Sequence, residues 1–291
     1  MTPEPRHHFV EANRLRHHLV EWAGTGPVVL LCHGFLEHAR VWDYVAPRLV
    51  AAGLHPFALD WRGHGDSEWV GRGGYYHFAD YVADLAGVVD WLGGRVALVA
   101  HSMGAAAALL YAGTEPERVS ALVLVDATGP PDSDPTTAPA RYRAWLADLA
   151  RVTDRARPLV TLDDATTRLR ERFPTFTPSV ARHVALHGTR AGGGGRVWKF
   201  DPRHQTASPQ PYYVRQARAF WEAVTAPVLY VGGAESALRL LAMDLDERLA
   251  VLRAERLELP GCGHHPHLEA PEAFAEHVGS FLGRYACADS R

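Results

Sequence analysis

The chain has 291 residues, 47% of them apolar and 22% charged, with a formal net charge of −3. Those values exclude disorder, collagen and coiled coil as its main structure and fit one large or two small globular domains. They also leave no basic footprint for nucleic acid, and the apolar stretches at 96–100 and 105–112 fall far short of the ~20 residues of a membrane helix.

In chain order, short β-branched runs alternate with longer amphipathic stretches, the rhythm of β-α-β units. Residues 9–11 and 14–22 read as an antiparallel hairpin turning near 12–13, with the pairs His7-His8 and His17-His18 expected at its surface. Val28–Cys32 reads as a buried strand and 41–52 as a helix. A strand at 55–60, a helix at 77–92, a strand at 96–101, a helix at 103–113 and a strand at 119–126 follow. The rhythm breaks at a Pro- and Asp-rich linker, 129–139. Helical spacing returns at 139–151, 162–173 and 178–187. The glycine run 191–195 reads as a flexible loop and 198–213 as irregular chain. Strands at 227–231 and 256–259, with helices at 237–252 and 271–285, resume the pattern. The expected architecture is α/β, a mostly parallel doubly wound sheet. Residues 1–129 and 226–291 form its core, and a helical insert spans 130–225.

The insert carries 15 basic residues, of which Lys199 is the sole lysine, against 9 acidic ones. Its excess of +6 reads either as a solvated arginine-rich surface or as a lid that meets an anionic or carrier-bound substrate. Cys32, Cys262 and Cys287 are odd in number and lack a C-x-x-C pair, so no disulfide framework or zinc ribbon is indicated. The N-terminus has no apolar core of a signal peptide. A cytoplasmic setting follows, with no nucleic-acid or membrane partner. The oligomeric state is not legible.

Chemistry concentrates in three places. The segment from Val96 to Ala108 runs a buried strand into Ser102 and then into a helix of small residues. It reads A-x-S-x-G, a nucleophile-elbow pattern with Ala100 in the place of the first glycine. Small neighbours are needed because the serine sits on a sharp strand-to-helix turn. The helix that begins there also aims free N–H groups at the reacting centre. The second place is His33-Gly34-Phe35 after the first core strand, where a loop can supply a backbone N–H. The amides of Phe35 and Met103 are the expected oxyanion donors. His33 and Gly34 are expected to contact substrate; His33 reads either as a catalytic base or, the first choice, as a residue that packs or orients this loop. The third is Gly261-Cys-Gly-His264-His265-Pro-His267, a histidine-bearing loop after the last core strand. A base there can reach across the strand ends to activate serine. A metal is not expected, since adjacent histidines diverge and no further ligands with zinc spacing are present.

Together with Asp60-Trp-Arg-Gly-His-Gly-Asp-Ser67, these motifs resemble the α/β-hydrolase family over nearly the whole chain. The resemblance lies in the serine-hydrolase-like branch, which has a helical cap. It implies a Ser-His-acid triad, no metal or organic cofactor, and His264 as the base because it ends G-x-G-H. It also implies acyl transfer, because family dehalogenases and epoxide hydrolases carry aspartate where Ser102 stands. The acid is open between two positions. Glu235 follows Gly232 in a G-x-x-D-like setting. Asp126 ends the strand at 119–126, which fits the family variant with serine, here Ser236, at the usual acid position. Asp126 is the first choice. Aromatics of the insert, Trp198 and Phe200 among them, are expected to line a partly apolar substrate pocket. The expected activity is hydrolysis of a carboxylic ester, thioester or lactone. C–C bond hydrolysis of a diketone-type substrate and low-turnover ligand binding are the alternatives.

Overall fold

The computed structural model describes residues 4–152, 158–159, 161–240 and 244–285; Cys287 and positions 241–243 of the expected helix 237–252 lie outside them. The strands are β1 (Arg6–Ala12), β2 (Leu15–Glu21), β3 (Val28–Cys32), β4 (His55–Leu59), β5 (Val96–His101), β6 (Val119–Val125), β7 (Pro158–Leu159), β8 (Thr189–Gly192), β9 (Gly195–Trp198), β10 (Val228–Gly233) and β11 (Glu255–Leu259). The helices are α1 (Ala46–Ala51), α2 (Phe78–Trp91), α3 (Met103–Thr114), α4 (Ala138–Arg151), α5 (Leu162–Arg172), α6 (Pro178–Gly188), α7 (Val214–Ala223), α8 (Leu245–Leu252), α9 (Pro266–Glu269) and α10 (Pro271–Tyr285).

An eight-stranded sheet runs in the order β1-β2-β4-β3-β5-β6-β10-β11. From β4 to β11 its neighbours are parallel, and the β1–β2 hairpin joins β4 antiparallel. Asn13 and Arg14 turn the hairpin with φ of 48° and 63°, the twist that suits a two-residue β-turn. The central strands are apolar without alternation because both faces are covered. In β5, Leu98 and Ala100 pack into one core with α2 and α3, while Ala97 and Val99 pack into the other with α1 and α10. Successive strand residues point to opposite faces, so one strand feeds both cores. The fold is therefore the α/β class expected, with helices on both sides of a mostly parallel sheet.

Several local expectations change. The stretch 41–52 is a 3-10 turn at Ala39–Trp42 followed by the short α1, and 237–252 is likewise divided into Ala237–Leu240 and α8. The glycine run is the turn of a hairpin: Gly193 and Gly194, at φ 62° and 82°, join β8 to β9. With β7 these strands form a small antiparallel sheet within 130–225, beside α4–α7. His17 and His18 are buried, contrary to the surface placement. His18 Nδ1 lies 2.6 Å from Asp60 Oδ2, and that carboxylate also accepts the Ala39 and Asp66 amides. The hairpin thus helps to fix the loop after β4.

Candidate active site

β3, β5 and β6 end at one edge of the sheet and hand over to His33, Ser102 and Asp126, at the carboxyl ends where open parallel sheets place their sites. Ser102 has φ 51° and ψ −115°, a left-handed backbone that a non-glycine residue adopts under strain. Its amide donates to Val125 O at 3.1 Å, and its carbonyl accepts from Ala105 and Ala106 as α3 begins. The elbow is tight on its far side. A Cβ at Gly104 would stand 2.6 Å from His33 O, so only glycine lets α3 pass the end of β3. Ala100 is fully buried within the sheet, and its single methyl is accommodated there.

Ser102 Oγ lies 3.0 Å from His264 Nε2, and His264 Nδ1 lies 2.7 Å from Asp126 Oδ2. Asp126 is buried, also with positive φ (50°). Its Oδ1 accepts the Gly233 amide at 3.1 Å, and its Oδ2 accepts the Ser236 hydroxyl at 2.5 Å. The acid-accepting position after β10 therefore holds a serine that bonds the carboxylate of β6. Glu235 is exposed, and its amide donates to Cys262 O; its side chain is not among the groups bonded to His264.

Phe35 and Met103 line one cavity, and among the described residues neither backbone amide has an acceptor within the protein. The loop that carries Phe35 is held by a carboxylate the sequence did not single out. Glu37 Oε2 accepts the Gly34 amide at 2.7 Å and faces His101 Nδ1 at 3.1 Å, while Oε1 accepts from His265 Nε2 at 2.9 Å. His101 Nε2 in turn faces His264 O at 2.8 Å. Both nitrogens of His101 thus meet acceptors, an arrangement that favours the doubly protonated ring. Burial alone would lower its pKa, but the Glu37 carboxylate outweighs burial and raises it. Burial likewise opposes charge on Glu37, yet His101 and His265 hold its pKa well below the usual range. His265 is pushed down to about 4, chiefly by burial, and is the neutral donor of the group.

His33 is fully buried. Its Nδ1 donates to Gly34 O at 2.7 Å and its Nε2 accepts the Trp61 amide at 3.1 Å. It braces the loop, the first-choice role, and is absent from the lining of the main cavity, which counts against the expected substrate contact. Gly34 is equally a packing position, since a Cβ there would stand 2.6 Å from His101 Nδ1. Trp198 and Phe200 stack on each other at 5.8 Å, and Trp198 packs against the small cluster of Ala165 and Ala185. Neither lines the main cavity. That cavity, of ≈ 1020 Å³, opens beside Phe35 and Met103 and is walled by α2, α3, α7 and the segment 203–213. Burial of an aromatic in the insert is no guide to which cavity it faces.

A metal finds poor ligands beneath the elbow. Glu37, His101 and His267 bring ligand atoms within 4.8 Å of one another, but Glu37 and His101 are bonded to each other and the second nitrogen of His101 faces His264 O. Cys32 and Cys262 are buried free thiols.

Residues 29–277 match the profile of the alpha/beta hydrolase family. The chain belongs to the alpha/beta hydrolase family. A serine hydrolase-like protein of Danio rerio is 25% identical over 268 residues, covering 88% of this chain and 82% of that relative. Epoxide hydrolase 3 of Siraitia grosvenorii is 37% identical over 118 residues, but this chain spans only 37% of that relative's length. Among solved structures, the thioesterase domain from the curacin biosynthetic pathway superposes with a TM-score of 0.84 at 26% identity, covering 96% of this chain and all of that one. A hypothetical protein of Pseudomonas aeruginosa PAO1 superposes with a TM-score of 0.86 at 30% identity, covering 96% of this chain and 99% of that one. Among the described residues of this alpha/beta hydrolase, no helix is long and apolar enough to cross a membrane.

Proposed function

We propose that the chain is a serine hydrolase that transfers the acyl group of a small-molecule ester, thioester or lactone to water. The relay Ser102–His264–Asp126, with separations of 3.0 and 2.7 Å, carries this reading. Asp126 accepts the Nδ1 proton, which leaves the Nε2 lone pair to take the proton of Ser102 Oγ as it attacks the carbonyl. The Phe35 and Met103 amides hold the oxyanion, each worth ~3 kcal/mol in such sites. His264 then protonates the leaving group. Water, deprotonated by the same histidine, releases the acid from the acyl-enzyme. Residues 130–225 act as the cap over this site.

The epoxide hydrolase relatives raise a different chemistry, and the nucleophile weighs against it. Opening an epoxide on serine would form an ether, which the same relay has no means to hydrolyse; an ester formed on a carboxylate is hydrolysable. A fluorophosphonate probe tests the reading. Ser102 should be labelled in the folded protein, labelling should vanish in Ser102→Ala, and p-nitrophenyl esters should turn over. Folded protein that is not labelled would overturn it.

A further inference from the structure

The main cavity meets the candidate site through Phe35 and Met103, which line it; Ser102 and His264 are not part of its lining. Its volume, ≈ 1020 Å³, stands at the top of the ~300–1,000 Å³ typical of small-molecule sites. One wall is a single face of α3, because Met103, Leu110 and Thr114 all line it and steps of seven and four residues return to the same side of a helix. At ~1.5 Å per residue, the span from Met103 to Thr114 is ~16 Å. Facing it are Phe78 and Val82 of α2 and Phe220 of α7, all half-buried. The near end is formed by Phe35 and Met103. The far end is open, since Thr114 is exposed.

Several charged and polar groups of this wall are committed to the protein, while His77 Nδ1 and the Tyr212 hydroxyl are buried without a partner. Asp132 accepts the Val214 amide, the Ser133 hydroxyl accepts the Tyr212 amide, Arg141 donates to Pro209 O, and Arg203 pairs with Asp201. The cleft therefore offers a ligand chiefly hydrocarbon and ring faces, and the positive charge of the insert is a weak reason to expect an anionic acyl group.

We propose that the acyl group this site accepts is a long unbranched chain laid along α3. An extended chain advances ~3.5 Å per three bonds, so ~16 Å takes about ten to fourteen carbons. The proposal rests on the serine-hydrolase reading and leaves its chemistry unchanged. The acyl C–O or C–S bond breaks, the leaving oxygen or sulfur takes the proton held by His264, and water supplies the hydroxyl of the released acid.

Two measurements test it together. In a series of p-nitrophenyl esters from acetyl to hexadecanoyl, kcat/KM should rise at least 50-fold from butanoyl to dodecanoyl. It should then level off, because further methylenes leave the cleft at Thr114. Leu110→Trp should lower the dodecanoyl-to-butanoyl ratio at least tenfold. Thr114→Trp, at the exposed end where folding is not at stake, should remove only the gain beyond decanoyl. Calorimetric titration of Ser102→Ala should give at least 30-fold tighter binding for dodecanoate than for butanoate. Turnover with a flat chain-length profile, or a profile that neither tryptophan alters, overturns the long-chain proposal and leaves the hydrolase reading intact. Selective dodecanoate binding without turnover of any ester supports the cleft and overturns the hydrolase reading. Neither turnover nor selective binding overturns both.

Discussion

His101 and Glu37 meet at 3.1 Å in the core, one residue before Ser102 and two after Phe35. The pair ties the elbow to the loop that carries Phe35, and through His101 Nε2 and His265 it also ties in the loop that carries His264. Substitution Glu37→Gln keeps the shape and removes the charge, leaving the buried His101 ring without its charged partner. It should lower kcat at least tenfold, change KM by less than twofold, and cost about 3 kcal/mol or more in urea unfolding. The pH dependence gives a second readout. His101 has a raised pKa in the folded state, so its contribution is complete below pH 6.5 and is lost as pH rises through the folded value. That alkaline loss should disappear in Glu37→Gln. A variant with wild-type kcat would reduce the pair to packing.

Ser102→Ala should abolish ester turnover, leaving less than a thousandth, while its thermal midpoint stays within about 2 °C of wild type, as for other substitutions at partly exposed sites. Retention of a tenth of the activity would show that another group is the nucleophile.

Asp126→Asn should lower kcat by ~10² or more, because the amide can hold His264 in the wrong tautomer. Glu235→Gln should lose less than tenfold, as Glu235 is exposed while Asp126 holds the bond to His264 Nδ1. The reverse order in steady-state kinetics would move the acid's role to Glu235.

Acid stability should follow buried neutral histidines. Burial pushes His38 and His265 down to about 4 and His204 to about 3. In the unfolded chain each would take a proton near pH 6.5. The stability linked to each is therefore present above pH 6.5 and lost as pH falls toward 4, at up to about 1.4 kcal/mol per pH unit for each. Thermal midpoints at pH 7, 6, 5 and 4.5 should fall progressively; equal midpoints from pH 7 to 5 would mean these imidazoles titrate normally.

The parts legible in the sequence are those where local pattern and fold demand the same residues. Val28–Cys32 and Val96–His101 are strands with the expected bounds, because a strand buried on both faces shows as an unbroken apolar run. Ser102 stands out because strand, serine and small-residue helix are contiguous. Glu37 and His101 do not, since their partners are 64 residues apart in sequence and only the sheet brings them together. Helix α7 escapes although Ala217 and Trp221 recur at helical spacing, because it follows directly on the proline-rich stretch 198–213 that reads as irregular chain. The β8–β9 hairpin escapes because glycine serves a tight turn and an open loop equally well.

On the ribosome, β6 emerges with β5 available on one side and nothing on the other. Its eventual neighbour β10 begins at Val228, about a hundred residues later, a delay of roughly 5–20 s at 5–20 residues per second. Throughout that interval the run Val-Ser-Ala-Leu-Val-Leu-Val presents a bare, apolar strand edge, the kind of edge that recruits other chains. The long insertion between β6 and β10 thus postpones closure of the sheet, and nascent chains stalled before Val228 are the ones expected to aggregate or to need a chaperone.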